Sequence, residues 1–183
     1  MNVWALKKRD GFTIVELLIV IVVIGILATV SIVAYSGVRL RAENVKTVTS
    51  VMAYAKALQL YATTNARYPI VSYPCLGPAG TKCANVTDST GACTGAGATS
   101  FKSAFDDAIK TVASTLPAPS SQQMDCNGKD YGGAWYNSSD GKSAQMIYYL
   151  QGSQSCTIGN SLTLSSRFQS TNTTACYTFL PTL

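Results

Sequence analysis

Histidine is absent from this chain of 183 residues. Without imidazole there is no Ser-His or Cys-His pair and no histidine ligand for a metal, so the most frequent general base of enzymes is excluded. Carboxylates, lysine and tyrosine remain, but their spacing indicates no catalytic group. The sequence therefore predicts no enzyme active site, no cofactor and no metal centre.

Charge is also scarce, at 13% of the residues with a net charge of +5. Three of the basic residues lie in the first ten positions, and the rest of the chain is close to neutral. The ten tyrosines are not accompanied by a dense basic stripe that could bind phosphates. The composition therefore gives no reason to expect a specific nucleic acid partner.

The chain has no C-x2-C pair, so its cysteines do not match common zinc or redox motifs. Six cysteines nevertheless lie beyond the N-terminal third of the sequence, between positions 75 and 176, and an even number confined to one region of a small chain favours three disulfides formed in an oxidising compartment. Free buried thiols are the alternative. Three disulfides allow 15 connectivities. The cysteines are Cys75, Cys83, Cys93, Cys126, Cys156 and Cys176.

One long apolar run is present, from Phe12 to Tyr35, and it contains a single charged residue, Glu16. About 20 apolar residues suffice to span a bilayer as a helix, so the run predicts a membrane helix. A cleavable secretory signal would have a shorter apolar region, and a plain signal anchor would leave the buried acid unexplained. Basic residues flank both ends, but the cysteines favour a cytoplasmic N-terminus with the rest of the chain outside.

The segment KKRDGFTIVELLIVIVVIGILATV, residues 7–30, closely resembles the N-terminus of type IV prepilins. The resemblance consists of a basic leader, a glycine, an aromatic residue and a glutamate four positions further on. It implies that a prepilin peptidase removes leader residues 1–11 and methylates the new N-terminus. The matching residues are Lys7, Lys8, Arg9, Gly11, Phe12 and Glu16.

The same resemblance implies roles and partners for this segment. The cut would fall between Gly11 and Phe12, and Glu16 would pair with the N-terminal amine of a neighbouring subunit as a filament grows. A buried acid that meets a cation avoids the penalty of an isolated buried charge. The implied partners are other subunits, the peptidase, an inner-membrane assembly platform and, before assembly, membrane lipid.

Beyond the run, apolar residues at helical spacing predict that the helix continues over residues 36–66. The pair Tyr68-Pro69 should then end it. The predicted apolar face comprises Val38, Ala42, Val45, Val48, Met52, Ala55, Leu58 and Ala62.

Residues 67–183 are predicted to form a disulfide-rich head that packs on this part of the helix. Residues 70–100 are predicted to form a long, disulfide-stapled loop, and residues 101–116 a short helix capped by Ser100 and ended before Pro117. Asp140-Gly141 predicts the turn of a hairpin. The predicted strands are 131–136, 143–150, 155–158, 161–168 and 174–180. The fold class is thus α+β, with a long N-terminal helix and a C-terminal antiparallel sheet, as in pilins.

The favoured disulfide pairing joins Cys156 to Cys176 and Cys75 to Cys83, and leaves Cys93 for Cys126. For function, the resemblance implies a type IV pilus subunit, with the adhesion and twitching motility that such filaments serve. The alternatives are a pseudopilin of a secretion system, a DNA-uptake pilin, or a membrane-anchored adhesin that does not polymerise. The precursor is expected in the cell membrane and the pilus outside the cell.

Overall fold

The structure, a computed structural model, describes residues 11–85, 97–120, 124–126, 129–131, 133–156, 158, 162–169 and 173–183. Lys7, Lys8, Arg9 and Cys93 lie outside these ranges. The elements in chain order are α1 (Ile14–Asn65), β1 (Val71–Cys75), β2 (Lys82–Asn85), β3 (Gly97–Ser100), α2 (Ser103–Lys110), β4 (Met124–Cys126), β5 (Lys129–Tyr131), β6 (Ala134–Ser138), β7 (Gln145–Gln151), β8 (Thr163–Gln169) and β9 (Thr173–Phe179).

Helix α1 confirms the predicted continuation beyond the apolar run. It ends at Asn65, where Ala66 takes the left-handed conformation with φ 53°, and Tyr68-Pro69 follows. The chain divides into two compact units, one up to Arg39 and one from Leu40 to Leu183. The second half of α1 therefore belongs to the same unit as the strands.

Five strands form the main sheet, in the antiparallel order β1-β6-β7-β9-β8. The hairpin predicted around Asp140-Gly141 is confirmed, because β6 and β7 pair on either side of it and Gly141 has φ 72°. Two smaller hairpins, β2–β3 and β4–β5, complete the described strands. The α+β class is confirmed.

The inner face of the sheet is the face whose side chains pack against α1. The core joins Val51, Tyr54, Leu58 and Ala62 of the helix to side chains such as Tyr136, Met146, Tyr148 and Cys176 of the sheet. The predicted apolar face is correct from Val48 onward. It is wrong for Val38, Ala42 and Val45, which are exposed, because the strands cover the helix only from about Thr47.

A second apolar cluster lies on the outer face of the sheet, the face whose side chains point away from the first cluster. It contains Trp135, Ile147 and Tyr177 together with the bonded cysteines Cys75 and Cys83. Residues 70–100 were predicted to form a long, disulfide-stapled loop. The Cys75–Cys83 disulfide is present, but the prediction of a loop was wrong, since this stretch contributes β1, β2 and β3. β1 pairs with the distant strand β6, and β2 and β3 pair with each other, so strand pairing rather than local propensity orders this stretch.

The remaining predictions are partly correct. Helix α2 is present, but Ser100 belongs to β3, and Lys102 occupies the N-cap without a side-chain hydrogen bond. The strand predicted at 155–158 does not form in the described part of that range. Cys156 bonds instead from a loop to Cys176 of β9, and Cys75 bonds to Cys83. The pairing of Cys93 with Cys126 lies outside the described residues.

Asn44 fastens α1 to the end of β7. Its side-chain amide donates to the carbonyl of Gln151 over 3.0 Å, and its carbonyl accepts from the Gln151 amide over 2.9 Å. The residue pairs of β6 and β7 end at Ala134 and Tyr148, so the backbone of Gln151 has no partner on β6. The Asn44 side chain bonds to the amide and carbonyl of Gln151 instead. We expect Asn44→Ala to lower the free energy of unfolding by about 1–3 kcal/mol, because two partly buried backbone groups lose a partner.

Urea denaturation followed through the fluorescence of buried Trp135 would measure this loss. Asn65→Ala is the matched control, since the Asn65 amide makes only a local, exposed bond to the Tyr61 carbonyl. If the two variants lose equal stability, the side chain of Asn44 does not fasten the helix.

Asp140 organises the turn of the β6–β7 hairpin. Its carboxylate accepts hydrogen bonds from the amides of Ser143 and Lys142, each over 2.9 Å, and these bonds lower the pKa of Asp140 below its usual value. A lowered folded-state pKa means that the contribution to stability is complete above the unfolded pKa of about 3.9 and is lost as pH falls through the folded value.

We therefore expect the stability difference between the parent and Asp140→Ala to be present at pH 7 and to shrink as the pH falls below about 4. Chemical denaturation at several pH values would show this trend. Asp107→Ala, at an exposed aspartate of α2, serves as the control for the general effect of removing a surface acid. A difference that does not depend on pH would contradict this role of Asp140.

Candidate functional site

The junction between Gly11 and Phe12 lies just ahead of α1, in backbone that is not helical. The side chain of Phe12 is 87% exposed. A Cβ atom added at Gly11 would meet no atom within 4 Å. Because the backbone here is not helical and both residues are exposed, a protease could reach the peptide bond between them.

Glu16 lies in the first turn of α1, and its carboxylate is bound by Thr13. The amide of Thr13 donates to Oε2 of Glu16 over 2.8 Å, and the Thr13 hydroxyl donates to the same oxygen over 2.7 Å. In return, the Glu16 amide donates to the Thr13 hydroxyl over 3.2 Å. This reciprocal arrangement is a capping box, which provides partners for amides at the start of a helix.

Thr13 is the site residue that the sequence reasoning missed. A threonine followed three residues later by a glutamate, just before an apolar run, is the sequence signal of a capping box. The stretch Thr13-Ile14-Val15-Glu16 carries this signal. Glu16 therefore has a local partner in addition to any partner on another chain.

The electrostatics of the site are simple, because Glu16 is the sole charged residue between Gly11 and Val38. Glu16 forms no ion pair with any residue that the structure describes. A carboxylate has about four lone-pair positions, and the bonds from Thr13 go to Oε2. Oε1 can therefore accept from a further donor, and a cation would be the strongest one.

The apolar surface around this site is continuous and uncovered. From Phe12 to Tyr35, every described side chain is exposed, including those of twelve isoleucine, valine and leucine residues between Ile14 and Leu27. Soluble monomers rarely expose apolar patches of this extent, so such a surface contacts lipid or other protein chains. Helix α1 is long and apolar enough to cross a membrane.

The hydroxyl groups within this stretch are satisfied by the helix itself. Thr29 donates to the carbonyl of Ile26 and Ser31 to that of Leu27, both over 2.7 Å. Neither hydroxyl therefore presents an unbonded donor to an apolar environment. Among the residues that the structure describes, no group of three His, Cys, Asp or Glu residues could hold a metal ion.

Comparisons with known proteins concern the same part of the chain. Residues 6–32 match the model of the prokaryotic N-terminal methylation motif. The type II secretion system core protein G of Aeromonas hydrophila is 36% identical over 63 residues, which cover 34% of this chain and 44% of that protein. The protein of the same name from Escherichia coli (strain K12) is 37% identical over 65 residues, or 36% of this chain and 45% of that protein.

A third relative with this name, from Klebsiella michiganensis, is 39% identical over 63 residues, covering 34% of this chain and 44% of that protein. The chain thus spans less than half the length of these relatives. No solved structure gives a significant match. The similarity therefore concerns the N-terminal segment and does not extend over the sheet.

Proposed function

Because residues 6–32 carry the prokaryotic N-terminal methylation motif, we propose that the chain is a structural subunit of a pilin-like filament. This motif is the class III signal that type IV pilins and pseudopilins share. The precursor is anchored in the membrane by its apolar helix. A prepilin peptidase cuts it between Gly11 and Phe12 and methylates Phe12. The observation that carries the proposal is an uncovered apolar helix that starts at an accessible Gly11-Phe12 junction and holds one acid.

Among pilin-like filaments, the role of a pseudopilin in a type II-like secretion system is favoured. The relatives named above are core proteins of that system, and their similarity covers the segment that would form the filament core. A type IV pilus subunit is the second candidate. The sheet and its disulfides lie outside the matched third of the chain, so the similarity to the secretion proteins says nothing about the role of this part. Adhesion and twitching motility belong to this second candidate.

In the membrane, Glu16 is a charged residue within an otherwise apolar helix. A charged side chain in the bilayer centre costs about 2.5–3.5 kcal/mol on insertion scales. Cleavage gives Phe12 an α-amino group that carries a positive charge near neutral pH. When this amine of one subunit meets Glu16 of the next, each charge gains a partner, and the apolar surfaces of the two helices cover each other. Assembly in which each subunit repeats one contact with the next produces an open helical filament.

The proposal also sets the partners and the location of the protein. The precursor meets membrane lipid and the prepilin peptidase first, and then an assembly platform in the inner membrane that supports extraction. The bonded cysteines favour a head on the oxidising side of the membrane. In the favoured role the filament acts in the cell envelope, and in the second role it extends outside the cell.

Mass spectrometry of the protein from its native cell tests the proposal. We expect an N-terminus at Phe12 that carries one methyl group. An intact Met1, or a cut elsewhere, would sink the proposal. Deleting the gene then separates the two roles, since loss of secreted enzymes with normal surface pili supports the secretion role, and loss of pili with normal secretion supports the pilus role.

A further inference from the structure

The outer face of the main sheet has one end that the second apolar cluster does not cover. Here Asn137 of β6, Gln145 of β7 and Phe179 of β9 lie directly opposite one another on neighbouring strands. Side chains at paired positions share a face, so these three form a row about 10 Å long. In the row beside it Trp135, Ile147 and Tyr177 are buried, whereas Phe179 is 43% exposed.

A pocket of about 300 Å³ lies at this end of the sheet. This volume is at the lower end of the range of small-molecule sites, about 300–1,000 Å³. Within the described ranges of the chain, no charged residue lines it. Its lining side chains include Asn137, Ser139, Ser143, Gln145 and Phe179.

The polar groups of the pocket are available for a ligand. The side-chain amides of Asn137 and Gln145 and the hydroxyl of Ser139 make no hydrogen bond with any described residue. Each amide offers two donors and an acceptor. The exposed ring of Phe179 adds an aromatic face, whose electron density attracts weakly positive C–H groups.

The wall of the pocket is held firmly in place. The Ser138 hydroxyl donates to the Ser143 carbonyl over 2.6 Å, and the Gly141 amide donates to the Ser138 hydroxyl over 3.2 Å. The Leu180 amide donates to the carbonyl of Ala144 over 2.9 Å, which fixes the backbone next to Phe179. A pocket with a fixed wall loses little conformational entropy when a ligand binds.

We propose that this pocket binds one residue of a neutral saccharide. The apolar C–H face of a pyranose ring lies on Phe179, while its hydroxyls exchange hydrogen bonds with the amides of Gln145 and Asn137. An alternating pattern of C–H and O–H groups matches an aromatic ring beside unpaired amides. The uncharged lining disfavours phosphate or carboxylate ligands, which need a cation or several amide donors.

Saturation-transfer difference NMR tests the proposal on the full-length processed protein in a detergent without a sugar head group. The probes are the methyl glycosides of glucose, galactose, mannose and N-acetylglucosamine at concentrations of tens of millimolar. We expect transfer to the ring C–H protons of at least one glycoside. Transfer to none of the four would overturn the proposal.

Variants locate the binding. Phe179→Leu keeps an apolar side chain but removes the ring, and we expect it to weaken binding about tenfold. Gln145→Ala should weaken it about fivefold through the loss of hydrogen bonds. Leu60→Ala, at an exposed apolar residue of α1, is the control and should change nothing. Unchanged binding in both pocket variants would refute the site, whatever the result of the filament experiments.

Discussion

A chain that carries Glu16→Ala is expected to insert into the membrane at least as well as the parent and to form no filaments. The substitution removes the acid that would pair with the Phe12 amine of the neighbouring subunit. An amine left without its partner in an apolar helix bundle costs about 3–5 kcal/mol, which corresponds to at least a hundredfold weaker association per contact. Membrane fractionation and electron microscopy of sheared filaments measure the two parts of this prediction.

Two further variants separate the charge of Glu16 from its capping bonds. Glu16→Gln keeps a side chain that completes a capping box but removes the charge, so it should fail to assemble like Glu16→Ala. Thr13→Val removes the hydroxyl that binds the carboxylate and keeps the charge, so filaments should still form. If Glu16→Gln assembles and Thr13→Val does not, the glutamate acts as a helix cap and the pairing with the amine is wrong.

Removal of the Cys156–Cys176 disulfide should have the largest effect on the stability of the unit from Leu40 to Leu183. The bond closes a loop with a sequence separation of 20 residues and ends on Cys176, which is fully buried in the core. Constraint of the unfolded chain by a loop of this size is worth about 3 kcal/mol. We expect the double variant Cys156→Ala/Cys176→Ala to lose at least this amount, since two sulfur atoms also leave the packing.

Thermal or urea unfolding of the double variant would measure the loss. The matched comparison is Cys75→Ala/Cys83→Ala, where the sequence separation is 8 residues. The stabilisation by constraint of the unfolded chain is smaller for this disulfide than for Cys156–Cys176, by less than about 1 kcal/mol. Non-reducing peptide mapping of the parent must show the Cys156–Cys176 pair. A stability loss below about 1 kcal/mol in the first double variant would contradict the expected role of this bond.

The elements that could be predicted from the sequence are those with strong local signals. The apolar run has one structural solution in a membrane, which is a helix, and the pattern beyond Tyr35 continues it. Asp140-Gly141 is a turn signal that does not depend on distant residues. These two signals are enough to predict the long helix and the central hairpin.

Long-range contacts determine what could not be predicted. The stretch from Val71 to Ser100 is rich in glycine, proline and serine. Its first strand forms because the distant residues Asn137 and Trp135 offer backbone groups, and β2 and β3 pair with each other. The exposed positions of Val38 and Val45 depend on where the sheet begins to cover α1. At the site, Glu16 was identified from the sequence, whereas its bonds to Thr13 were not, although the spacing signals them.

The bonds between Asn44 and Gln151 have a mechanical consequence. A filament subunit is pulled along its N-terminal helix whenever the filament is stretched, and Asn44 lies close to Leu40, where the second compact unit begins. Its two hydrogen bonds to one residue share the load and must break together, so they resist tension better than two bonds that break in sequence. In the proposed filament, we therefore expect the Asn44 side chain to delay the separation of α1 from the sheet under tension.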